Sequence, residues 1–325
     1  EALAVSMGEK AGIDMEYMSK LAGKNEETLY QDLKGVIFLN PLHGYGNVTE
    51  AKYLMADEYL SGNVREKLIT AKKSAEVYPE DYKINVEALE KVQPIDLTAS
   101  EISVRLGATW LPQEVIQQFM FEFLDTPRYA QWNIKVHFSP YTGEWNIEGK
   151  SYDRSNVKAY STYGTGRINA YKIIEETLNL KDVRIFDYIE DDEGRKKAVL
   201  NKKETAIAQA KQELIKQGFQ DWIWADHDRR EKLTKMYNEK FNSIRPREYD
   251  GSHITFSGMN PEITLREHQR NAVAHILYGG NTLLAHAVGA GKTFEMVAAS
   301  QESKRLGLCN KSLFVVPNHL TDSGR

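Results

Sequence analysis

A chain of 325 residues with 41% hydrophobic and 27% charged side chains has room for two or three cored domains, and its balance excludes a disordered or fibrous polymer. No apolar run approaches the roughly 18 residues that cross a membrane, and the single cysteine, Cys309, excludes an internal disulfide or a cysteine-rich zinc site and fits the reducing cytoplasm. A net charge of −4 excludes a global electrostatic attraction to nucleic acid, so any DNA contact has to come from local patches.

The chain opens on Glu1 with no basic-then-apolar leader, and reads as an internal piece of a longer polypeptide or a processed product. In residues 1–70, Met15, Met18 and Leu21 follow helical spacing until Ala22-Gly23-Lys24 breaks it. A second helix is expected from Asn25 as N-cap, with Glu26 and Glu27 in the first turn and Leu29, Tyr30 and Leu33 on its apolar face. Val36-Ile37-Phe38-Leu39 after Gly35 reads as a strand. Helix, glycine turn, helix and strand predict a winged-helix-like unit, closed by a loop through Pro41 and Gly44-Tyr45-Gly46 and followed by a short helix near Asp57–Leu68. A DNA-recognition helix meets phosphates with Lys or Arg. Glu26, Glu27 and Asp32 favour protein packing instead.

Residues 71–250 predict an α+β accessory region. The pattern is helical from about 85 to 125, through Val115, Ile116, Phe119, Met120 and Phe123. The period then changes to two. Trp132, Ile134, Val136 and Phe138, a turn through Ser139–Gly143, then Trp145 and Ile147 predict a β-hairpin near 132–148. Tyr141, Trp145, Tyr152 and Tyr160 could stack on bases, although aromatic residues also fill ordinary strands. A helix near Ile168–Leu178, a strand over Val183–Tyr188 and a polar turn through Glu190–Gly194 come next. Two long helices over 203–242 break near Asp226-His227-Asp228, the second carrying Arg229, Arg230, Lys232 and Lys235, which could follow a DNA backbone or face solvent. Arg245–Gly251 reads as a linker, with a domain boundary between about 245 and 262.

Residues 251–325 carry the clearest chemistry. A short buried strand, Asn281–Ala285, runs into His286-Ala287-Val288-Gly289-Ala290-Gly291-Lys292-Thr293, then a helix to about Arg305 and the apolar run Leu313-Phe314-Val315-Val316-Pro317. That order predicts a right-handed βαβ unit in a parallel sheet, the start of an α/β P-loop NTPase lobe. Gly289 and Gly291 let backbone N–H groups approach phosphate oxygens and permit the positive φ of an anion nest. The helix N-terminus adds partial positive charge. Lys292 would reach the β- and γ-phosphates of ATP, and the Thr293 hydroxyl would hold Mg2+. Glycine is the usual residue at the first position of such a loop, where this chain has His286. Gln269, twenty-three residues before Lys292 on a helix with Ala272, Val273, Ile276 and Leu277, offers the donor and acceptor that match adenine.

Leu265-Arg266-Glu267-His268-Gln269 followed by His286–Thr293 resembles motifs Q and I of superfamily-two helicases of the Swi/Snf-like branch, and Val315-Val316-Pro317 resembles the start of motif Ia. More closely, the chain resembles the region that joins methylase to helicase in very large bacterial phage and conjugative-element proteins, a likeness that includes Leu106-Gly107-Ala108-Thr109-Trp110 and Asp250-Gly251-Ser252-His253. The resemblance implies a RecA-like lobe truncated within its parallel sheet, Gln269 on adenine, Gly289, Ala290, Gly291 and Lys292 around the phosphates, and Thr293 on Mg2+. It implies double-stranded DNA as the partner of the parent protein, and a DNA adenine methylase upstream. Ala287 stands where these proteins usually carry an acidic residue. Asn40-Pro41-Leu42-His43 lacks the second proline and the aromatic of a methylase N-P-P-Y loop. Hydrolysis also needs an acidic pair on a later strand and an arginine finger. No Asp-Glu pair occurs in the 32 residues after Thr293, so this polypeptide is expected to bind ATP without turning it over. The alternative is a non-catalytic DNA- or protein-binding scaffold linking methylase to motor.

Overall fold

Capping side chains and positive-φ stops punctuate the first hundred residues. The computed structural model describes residues 1–43, 50–190 and 196–317. The chain divides into two units, Glu1–Pro94 together with the segment from Ser243 onward, and Ile95–Asn242.

In the first unit α1 (Ala2–Lys10) stops at Ala11, which adopts φ 57°. The Asp14 carboxylate accepts the Tyr17 N–H at 2.9 Å to open α2 (Met15–Ala22), which ends at left-handed Gly23. Asn25 accepts the Thr28 N–H at 2.8 Å to open α3 (Glu26–Asp32). Each such cap contributes about 1 kcal/mol. Met15, Met18, Leu29, Tyr30 and Ile37 bury together beneath these helices. β1 (Ile37–Leu39) then pairs antiparallel with β2 (Tyr53–Met55), Phe38 lying opposite Leu54. The glycine loop expected at 44–46 lies outside the described residues.

The helix expected near Asp57–Leu68 is instead two, α4 (Ala56–Tyr59) and α5 (Val64–Val77), separated by β3 (Gly62–Asn63). Gly62 at φ 71° turns the chain, and Asn63 caps the new helix through the Glu66 N–H at 3.2 Å. The Lys67 ammonium donates to the carbonyls of Glu58, Tyr59 and Ser61 across the break, and burial pulls its pKa below the usual lysine value. α6 (Pro79–Lys91) packs along α5. Its buried Asn85 donates to Leu39 O at 2.8 Å, which ties it to β1.

The second unit is built on α7 (Gln113–Phe123), α8 (Arg128–Gln131), the hairpin β4 (Lys135–Ser139) and β5 (Glu144–Glu148), and α9 (Ala170–Leu178). The hairpin β6 (Phe186–Glu190) and β7 (Lys196–Leu200) follows, then the long α10 (Lys202–Ile223) and α11 (His227–Phe241). Between α6 and α7 the helical pattern expected from about 85 to 125 is interrupted, because the chain turns through Gly107 at φ 98°. A Cβ there would lie 2.5 Å from Leu178 O, so only glycine fits. In the first hairpin Phe138 faces Trp145 and Val136 faces Ile147. One core joins Ile116, Phe119 and Met120 of α7, Ile134 and Ile147, Tyr171 and Ile174 of α9, and Ile215 and Phe219 of α10. Burying each large apolar side chain contributes about 1.5–3 kcal/mol. The turn expected over Glu190–Gly194 lies largely outside the described residues.

Back in the first unit, β8 (Ile244–Arg245) pairs with β3, and α12 (Glu267–Gly279) packs against α13 (Lys292–Arg305). The residues that meet here are small: Val273 and Ala274 on one helix, Ala298 and Ala299 on the other, with Ile254 and Leu265. Gly251 lets the chain cross α12, since a Cβ would lie 2.1 Å from Arg270 O. Arg247 donates to Asp57 Oδ2 at 2.8 Å and stands 4.8 Å from the Tyr249 ring, tying the approach to α12 onto α4. Every sheet among the described residues is a two-stranded antiparallel pair. Residues 282–286 and 311–317 carry no strand pairing, and Leu283 and Leu313 are 87% and 89% exposed. No described helix is long and apolar enough to cross a membrane.

Candidate nucleotide-binding site

The loop between α12 and α13 is a glycine turn rather than a helical extension. Gly289 and Gly291 adopt φ 86° and 90°, and Gly291 is the left-handed N-cap of α13. One turn bond, Ala290 N–H to Ala287 O at 3.3 Å, shapes the loop. Among the described residues the backbone N–H groups of Val288, Gly289, Gly291, Lys292 and Thr293 take no hydrogen bond. Consecutive unpaired donors at a helix start are what an anionic oxygen needs. Val288 at the tip is 100% exposed, Gly289 and Thr293 are exposed, and Gly291 and Lys292 are half-buried.

Lys292 crosses this loop from the first turn of α13. Its ammonium donates to His286 O at 2.9 Å and Ala287 O at 3.0 Å, and makes no ion pair among the described residues. The positive charge therefore rests on two neutral carbonyls at the loop mouth, which phosphate oxygens would displace at little cost. Thr293 is exposed, and its hydroxyl has no partner among the described residues. That leaves it able to join a metal's coordination shell.

Gln269 is buried, 7% exposed, and its amide works within the chain. Its Oε1 accepts the Arg266 N–H at 2.9 Å, closing the first turn of α12, and its Nε2 donates to Ala290 O at 3.2 Å. Helix and loop are thereby stitched together, with one amide hydrogen left over. The contact also gives Gly291 a second reason to be glycine, for a Cβ would lie 2.3 Å from Gln269 Nε2.

Beneath the loop sits a carboxylate that spacing alone does not announce. Glu295 is fully buried, and its Oε1 lies 2.9 Å from His286 Nδ1 and 3.9 Å from His268 Nε2, while its Oε2 has no partner. His268 Nε2 also lies 3.0 Å from Ala290 O. His286, in the place of the usual glycine, thus anchors the head of the loop to α13. The signal was present as a histidine at the loop's first position with a glutamate one turn into the helix. Among the described residues no group of three His, Cys, Asp or Glu could hold a metal ion.

Two family models match this chain, one in the N-terminal module and one in the second unit. Residues 1–50 match a family described as probable helicase, winged helix domain. Residues 105–243 match a family described as a domain of unknown function, DUF8437. A stretch of 110 residues is 27% identical to "Defense against restriction protein B" of Escherichia phage P1, covering 34% of this chain and 5% of that protein. No solved structure matches the chain.

The N-terminal module is similar to a helicase winged-helix domain. Its acidic α3 is partly neutralised from within, because Lys52 on the approach to β2 pairs with Glu26 at 2.6 Å and holds that carboxyl below the usual range. Asp32 pairs with Lys24. In the second unit Arg229 lies 3.5 Å from the Trp222 ring and donates to Trp222 O and Ile223 O, and Arg230 donates to Trp224 O. These two arginines close the end of α10. Of the hairpin aromatics, Trp145 is buried in the core while Tyr141 is 99% exposed.

Beside the site, burial raises the Tyr278 pKa to about 12 and lowers that of His253, whose Nε2 lies 2.8 Å from the Tyr278 hydroxyl. The Tyr278 hydroxyl also lies 3.3 Å from Met7 O. These residues fix the frame of α12 and stand apart from the loop.

Proposed function

We propose that this chain is the ATP-binding entrance of a DNA helicase or translocase motor together with its winged-helix module and accessory unit. The observation that carries the reading is the set of unpaired N–H groups at Val288, Gly289, Gly291, Lys292 and Thr293, with the Lys292 ammonium laid across carbonyls beside it. In this reading Gly289, Ala290 and Gly291 wrap the phosphates, Lys292 neutralises the β- and γ-oxygens, and Thr293 takes one Mg2+ position. Gln269 turns its spare amide hydrogen toward adenine while it holds Ala290. The segments 281–285 and 313–317 become strands of a RecA-like parallel sheet, which needs both faces covered to form; their exposed leucines mark where cover is due.

The match to a helicase winged helix supports the motor reading and favours DNA as the partner of the whole protein. The likeness to a phage P1 protein supports a mobile-element setting, where a Swi/Snf-like motor joined to an upstream methylase fits the motifs.

Calorimetric titration of the 325-residue chain with ATP and AMP in the presence of Mg2+ tests this. The phosphate cradle recognises β- and γ-groups, so ATP is expected to bind at least about tenfold more tightly than AMP. Equal affinities, or no heat with either, would refute the assignment.

A further inference from the structure

A groove in the second unit has no part in the nucleotide site. The turn Arg105–Trp110, held against α9 by Gly107, walls a cavity of about 490 Å3 together with Leu180, Tyr237 and Phe241. Arg105 and Leu180 also line a second cavity, of about 320 Å3, with Lys181 and Lys216. The shared residues make the two cavities neighbours.

Their chemistry is complementary. Trp110 stands edge-on to Tyr237 with ring centroids 5.3 Å apart and to Phe241 at 6.4 Å, while Tyr237 and Phe241 lie 5.0 Å apart. Phe241 is 51% exposed, unusual for a phenylalanine within an aromatic cluster. The side chains of Arg105 and Lys181 have no hydrogen bond or ion pair among the described residues, and Lys216 pairs only with the exposed Glu213. Asp182 is the one acid lining the second cavity, against these three cations. Leu180, common to both cavities, adopts φ 58° and is 62% exposed. A non-glycine residue held in that conformation with its apolar side chain in solvent costs free energy that burial does not return.

We propose that this groove binds single-stranded nucleic acid, one or two bases entering the Trp110–Tyr237–Phe241 pocket and the adjoining phosphates meeting Arg105, Lys181 and Lys216. Aromatic faces accept any base, and unpaired cations supply a salt-dependent hold on the backbone. A duplex keeps its bases stacked and cannot use the pocket. The site stands independently of the nucleotide reading.

Fluorescence anisotropy of a labelled oligo-dT of about 15 nucleotides tests it, with the Lys292→Ala chain as background so that the P-loop cannot supply the signal. The labelled strand is expected to bind, more weakly as salt rises, with unlabelled duplex at least about tenfold poorer as a competitor. Phe241→Ala is expected to weaken binding about 5- to 30-fold. The exposed double variant Arg105→Glu, Lys181→Glu, which leaves the core untouched, is expected to weaken it at least about tenfold. Oligo-U competing equally extends the site to RNA, while dTMP alone competing as well as the strand would reduce it to a mononucleotide pocket and overturn the proposal. Absence of binding, equal binding of duplex, or binding unchanged in both variants would also overturn it.

Discussion

Lys292→Ala will weaken Mg2+-ATP binding by about 10- to 150-fold and leave the fold intact. The ammonium donates to two loop carbonyls. With phosphate present, those neutral contacts give way to charge-assisted ones, each class worth about 1.5–3 kcal/mol to a charged partner. The loss translates to the stated range at 1.4 kcal/mol per tenfold. Removing the side chain frees carbonyls at half-buried His286 and exposed Ala287, within reach of water at the loop mouth, so thermal stability should change little. Lys292→Arg keeps the charge but not the compact ammonium that fits the loop, and should recover only part of the affinity. Unchanged affinity in the alanine variant would remove Lys292 from the site.

Phe119→Ala is expected to destabilise the second unit by about 4 kcal/mol. Phe119 is fully buried, stacked on Phe123 with ring centroids 5.1 Å apart, edge-on to Phe219 at 5.1 Å and tilted to Trp222 at 5.3 Å. The backbone here leaves little room to collapse around a cavity. Gly218 of α10 already lies so close that a Cβ would meet Phe123 at 2.2 Å. All five tryptophans (110, 132, 145, 222 and 224) fall within Ile95–Asn242, so denaturation followed by tryptophan fluorescence reports this unit alone. The midpoint should fall by roughly 8–16 °C for a unit of this size. A loss under about 1 kcal/mol would mean that α7 does not centre the core.

Much of the fold was legible because local signals and burial agree. Asn25 and Asp226 were expected where caps and breaks belong, and both accept a backbone N–H at the start of a helix. Alternation on either side of the Ser139–Gly143 turn pointed to the hairpin, with Val136 and Ile147 in register, although Trp132 instead caps α8 and is exposed. Where packing decides, composition misleads. The helical reading of 85–125 rested on Val115, Ile116, Phe119, Met120 and Phe123, which do lie on α7, whereas Ile102, Val104 and Leu106 before them are buried from an irregular chain that Gly107 bends. Arg229 and Arg230 looked like a basic patch because a sequence does not reveal that the α10 carbonyls need donors at that corner.

The site shows the same division. The glycine turn and the helix start at Lys292 were readable because Gly289 and Gly291 supply the positive φ that the turn adopts. The tie from Gln269 to Ala290, and the histidines around Glu295, depend on how α12 lies against α13. That arrangement rests on small residues, Ala274, Ala298 and Ala299, whose identity gives no hint of the distances they permit.

Hydrogen–deuterium exchange over residues 288–293, with and without Mg2+ and a non-hydrolysable ATP analogue, tests the central claim most directly. The unpaired amides of the free loop should exchange rapidly. Bound phosphates should slow them, with smaller changes in the second unit. Exchange over 288–293 that stays the same at saturating analogue would contradict a phosphate cradle at this loop.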